Sequence, residues 1–199
     1  MVHPETKILI PAGALGIPYD RKALARGLEH APDLIAIDGG STDSGPFYLG
    51  TGTSKYSRTA TKADWADLMA ARAAAGVPLL IGTAGTSGAD SAVDWMLDIT
   101  LEIARERGET LKIATLKSGQ EKPAIITALK SGAITPLEGA PDLDIEIVEQ
   151  TTNIVALAGI EQIQAALASG ADIIIAGRAT DTAIIAALPI ARGCHKGAA

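Results

Sequence analysis

Six short apolar runs, starting near residues 7, 34, 77, 111, 145 and 172, alternate with stretches whose apolar residues recur at helical spacing. Strand and helix in strict alternation leave few folds open, because a helical crossover brings each strand back parallel to the last. The expectation is one α/β domain over residues 1–199. Its core is a three-layer open, mainly parallel sheet of about six strands with helices on both faces. A partial β/α barrel is the alternative, since sequence order does not give strand order.

The individual segments read clearly. Lys7 to Pro11, Leu34 to Ile37, Val77 to Ile81, Leu111 to Leu116, Ile145 to Val148 and Asp172 to Ala176 are the expected strands. Between them, Leu24 and Leu28 lie one helical turn apart, Trp65, Leu68, Met69 and Ala73 form an inward stripe after a cap at Thr61, and Ala89 to Arg107 carries two adjacent apolar rows. Gly76, Gly108, Gly132 and Gly170 stop four helices. Thr135 to Asp144, with two prolines and a glycine, reads as an irregular surface loop.

Composition narrows the function. The chain is 47% apolar but only 3% aromatic, which suits helices lying close on a parallel sheet. A net charge of −6 without a basic tract argues against nucleic acid. Cys194 is the single cysteine, so no internal disulfide forms and a reducing compartment is expected. There is no long apolar leader and no apolar window of membrane-spanning length, so the expected location is the cytoplasm. After the apolar run Ala183 to Ile190 the chain stops on Gly-Ala-Ala, which suggests the N-terminal part of a longer protein.

Ligands of parallel sheets bind at the carboxyl ends of the strands. Here those ends collect most of the glycine and hydroxyl clusters: Asp38-Gly-Gly-Ser-Thr-Asp43, Gly82-Thr-Ala-Gly-Thr-Ser-Gly88, Lys117-Ser-Gly-Gln120, Gln150-Thr-Thr-Asn153 and Gly177-Arg-Ala-Thr-Asp181. The candidate catalytic residues are Asp38, Asp43, Arg178 and Asp181, the carboxylates for acid/base work and the guanidinium to grip a carboxylate or phosphate. Candidate binding residues are Gly39, Gly40, Ser41, Thr42, Gly82, Thr83, Gly85, Thr86, Ser87, Lys117, Ser118, Asn153 and Thr180, whose N–H groups, hydroxyls and charges suit anionic or carbonyl oxygens. No cofactor is called, although Asp38 and Asp43 are of the type that holds Mg²⁺. Competing local roles exist: Thr180 and Asp181 also suit a helix start, and Arg178 also suits an ion pair with Asp181.

Other chemistries lack their patterns. Neither the dinucleotide Gly-x-Gly-x-x-Gly nor the P-loop occurs, no serine sits in Gly-x-Ser-x-Gly, and the three histidines are too scattered for zinc. Cys194 and His195 are adjacent, a poor geometry for a dyad. Trp65 and Trp95 sit on helical stripes and read as core.

Residues 35–50, 82–88 and 171–181 together resemble the acyclic terpene utilisation protein A (AtuA) family, formerly a domain of unknown function, and the resemblance extends along essentially the whole chain. It implies a bacterial catabolic protein, of the kind that breaks down citronellol and geraniol through acyl-CoA intermediates, and members longer than this chain. It assigns no catalytic residue. The expectation is a catabolic enzyme for an organic carboxylate or acyl-CoA ester, working as a homo-oligomer or with another catabolic subunit. The alternative is a non-catalytic ligand-binding or assembly subunit of such a complex.

Overall fold

A computed structural model describes residues 5–40 and 45–194. The elements run β1 (Ile8–Leu9), α1 (Arg21–Glu29), β2 (Leu34–Asp38), α2 (Phe47–Thr51), α3 (Arg58–Ala75), β3 (Leu79–Gly82), α4 (Asp90–Arg107), β4 (Ile113–Leu116), α5 (Lys122–Lys130), α6 (Ile145–Gln150), α7 (Ile160–Ala168), β5 (Ile173–Ala176) and α8 (Asp181–Ala191). The five strands pair in the order β1-β2-β3-β5-β4, all parallel. The sheet is open, with β1 and β4 at its edges, and the barrel alternative is set aside.

Alternation along each strand divides the core in two. Ile35, Ile37, Leu79, Ile81, Ile173 and Ile175 point to the side of α1, α3 and α4, where they meet Leu24, Trp65, Leu68, Met69, Val93, Met96 and Ile99. Leu34, Ala36, Leu80, Ile174 and Ala176 point the other way, onto Ile163 of α7 and Ala183, Ile184 and Ala187 of α8. The middle strands are apolar on both faces because both are covered. At about 1.5–3 kcal/mol for each fully buried aliphatic side chain, these two layers supply the main favourable term in folding. The second layer is thin. A Cβ at Gly82 would stand 2.7 Å from Ile184 Cγ2, so small residues let α8 lie close over β2 and β3.

Two expectations are corrected. Among the described residues five strands form rather than about six, because Ile145 to Val148 belongs to helix α6, whose start is capped by Asp144 Oδ1 accepting from Ile147 N at 2.8 Å. Helix α3 begins one turn before Thr61, at Ser57, whose hydroxyl accepts from Ala60 N, and α2 interrupts the long loop after β2. The exposed, irregular segment between α5 and α6 agrees with its sequence. Among the described residues, no helix is long and apolar enough to cross a membrane.

The strand order sets where a ligand can lie. From β3 the chain enters α4 on one face, whereas from the adjacent β5 it enters α8 on the opposite face. At such a switch point the two loops diverge and leave a crevice at the carboxyl ends.

Candidate functional site

Asp38 ends β2, and Gly177 to Thr180 joins β5 to α8, with the β3 loop between them. Because α8 runs from the end of β5 back over β2 and β3, its first residue, Asp181, comes near Asp38 together with Arg178. Three of the four candidate catalytic residues therefore share one electrostatic neighbourhood. The fourth, Asp43, lies outside the described residues, as do Ser41 and Thr42.

Burial pushes the Asp38 carboxyl up to about 7, and the Asp181 carboxylate adds to the rise. The N–H groups of Gly40 and Gly39 and the Arg178 guanidinium pull it back. Asp38 Oδ1 is buried and has no hydrogen-bond partner among the described residues. Such an oxygen is costly to keep and is commonly found where function requires it. Asp181, in the first turn of α8, is exposed and suits the positive helix end.

The β3 loop over residues 82–88 is buried throughout and built into the scaffold. Thr83 N donates to Gly177 O at 3.0 Å, Ala84 N to Ala176 O at 3.0 Å, and Arg178 N to Gly88 O at 3.1 Å. Thr83 Oγ1 donates to Ala179 O, and Thr86 Oγ1 accepts from Lys55 N at 3.1 Å. Thr83 and Thr86 both hold left-handed backbone, at φ +48° and +75°. That conformation is strained for a β-branched residue, and such strain collects at functional loops. The glycines here serve loop-on-loop packing. A Cβ at Gly39 would run into the Thr83 carbonyl, and one at Gly177 would meet Gly88 O and Ser118 Oγ at 2.8 Å. Gly85 packs in the same way against Ala92.

The β4 end is tied to the same platform. Ser118 Oγ donates to Arg178 O, and Asp90 Oδ1 accepts from Ser118 N and Gly119 N. Lys117 turns toward α4, its Nζ 2.8 Å from Asp94 Oδ2. Thr180 is the N-cap of α8, accepting from Ala183 N. Asn153 reaches this edge by another route than a strand end: after α6 the chain returns across the carboxyl edge, with Gln120 N donating to Ile154 O, Ala156 N to Ser118 O and Ala158 N to Arg178 O. Its side chain then holds α2, Nδ2 donating to Leu49 O at 2.7 Å.

Two features escaped the sequence. Asp90 is the clamp that joins α4 to the β4 loop, and only the strand order brings those segments together. Trp95, read as core, is half-buried against the core and lines a cleft of about 310 Å³ with Tyr56, Arg58 and Ser91. For Mg²⁺, among the described residues no three His, Cys, Asp or Glu side chains converge on one point.

The class is thus an open, parallel α/β sheet in which Asp38, Arg178 and Asp181 come within electrostatic reach of one another at a switch point. The family model described as acyclic terpene utilisation family protein AtuA matches residues 52–192, and the chain belongs to that family. The match takes in Arg178 and Asp181 but begins after Asp38. No curated protein and no solved structure matches the chain. Family membership points to a role related to acyclic terpene utilisation.

Proposed function

We propose that the chain is a catabolic enzyme that binds an organic carboxylate or acyl-CoA ester at the carboxyl edge of its sheet, with Asp38 as the proton-transferring group. The observation that carries this reading is the Asp38 carboxyl itself, held up to about 7 by burial and the nearby Asp181, with one buried oxygen that has no partner among the described residues. An acid that ionises near neutral pH is suited to give and take a proton at that pH. Arg178 would hold the substrate's anionic or carbonyl oxygen, and Asp181 would keep the Asp38 proton in place by like-charge repulsion.

The test is a thermal-shift screen against acyl-CoAs and small di- and hydroxycarboxylates, each with and without Mg²⁺, followed by turnover assays on the ligands that bind. A ligand at a hundred times its Kd stabilises by about 2.7 kcal/mol, several degrees for a chain of this size. Asp38→Asn is expected to keep ligand protection and lose turnover, and Arg178→Ala to lose protection. Protection without product in the wild type would make the chain a binding subunit instead, and full activity in Asp38→Asn would remove the proton-transfer role.

A further inference from the structure

We propose that the groove between α5 and α6 is a docking surface for an amphipathic helix of another protein, apolar on the face it inserts and bearing Lys or Arg along its flanks. The α5–α6 pair is thinly buried: α5 has no buried residue, and α6 buries Val148 alone. Between them lies a groove of about 430 Å³ lined by Leu129, Lys130, Leu143, Asp144, Ile145 and Glu146. Of that lining Leu143 and Ile145 are each 36% exposed, and the same stretch of chain carries Leu137 at 84% and Ile147 at 46%. Exposed apolar residues scattered singly need no explanation, but Leu129, Leu143 and Ile145 line one groove together, the kind of grouping that interfaces use.

Charge identifies the occupant. Residues 131–150 carry Glu138, Asp142, Asp144, Glu146 and Glu149 and no Lys or Arg. None of these five acids makes an ion pair with a described residue, whereas carboxylates elsewhere on the surface, such as Asp67, Glu102 and Asp172, are paired. Lys130 is the one cation on the lining, against Asp144 and Glu146 there and three further carboxylates on the same segment. An apolar groove in such an acidic setting repels nucleic acid and anionic lipid and attracts a basic amphipathic helix. The surface is independent of the Asp38 site, so the two readings stand or fall separately.

The probe is a fluorescent Leu/Lys peptide of about 15 residues at helical spacing, titrated by anisotropy against the full chain. The expected result is saturable binding that weakens about tenfold in Ile145→Ser and in Glu146→Lys, but not in Asp98→Lys, which changes the net charge equally at an exposed position of α4. Leu143→Ser, on the lining but in the loop before α6, guards against loss of the helix and is also expected to weaken binding. No binding, or equal weakening by Asp98→Lys, would overturn the proposal by reducing it to general charge attraction. A wild-type dimer in sedimentation that Ile145→Ser dissociates would overturn it in favour of a second copy.

Discussion

Asp38 pulls against the fold that buries it. Its folded pKa is raised from 3.8 to about 7, so between those values the folded chain holds a proton that the unfolded chain has lost. Stability therefore falls as pH rises through that window and stays low above it. After discounting for its partial exposure the effect is about 1–3 kcal/mol. Asp38→Asn is expected to melt several degrees above the wild type at pH 8 and level with it at pH 4, as thermal unfolding at both values will show. The two neighbours act with opposite signs. Arg178→Gln should raise the Asp38 pKa and Asp181→Asn should lower it, measured by carbon-13 NMR of the carboxyl group.

Among the elements, the β3 and β5 loops are locked together by glycines that differ in kind from those ending helices. Gly88 and Gly108 share a left-handed φ, +66° and +64°, but a Cβ at Gly88 would collide with the backbone of Arg178 while one at Gly108 would meet nothing. Gly108→Ala is expected to cost about 1 kcal/mol and Gly88→Ala about 3 or more, measured by urea unfolding. Sequence reading located β2, β3, β5 and α4 because each has an unmixed signal, either a continuous apolar run or a long helical stripe. It failed at Ile145-Glu-Ile-Val148, where apolar residues alternate as in a strand, because the deciding signal is the capping carboxylate of Asp144. It assigned Lys117 to the site because the residue follows a strand, but whether a side chain turns inward or toward Asp94 depends on the neighbouring helix.

At the scale of the molecule, the site owes its existence to strand order, which no local pattern encodes. Asp38 and Arg178 are far apart in sequence and meet because β5 takes the place beside β3. One polar cluster fastens that arrangement at the opposite edge of the sheet: Asp172 pairs with Arg72 of α3 through one oxygen and accepts from Lys112 N at 2.8 Å through the other. Asp172→Ala removes both links, leaving a largely buried guanidinium without its partner. A loss of about 2 kcal/mol is expected in denaturant unfolding, and a double-mutant cycle with Arg72→Ala will apportion it.

The same insertion of β5 between β3 and β4 governs the order in which a newly made chain can assemble. A ribosome delivers β3 and β4 well before β5, and until residues 173–176 emerge the sheet has a vacant slot between β3 and β4 with an unsatisfied strand edge on either side. The carboxyl-edge platform is therefore completed only when the last strand enters, and a chain interrupted short of it is left with two sticky edges and no site.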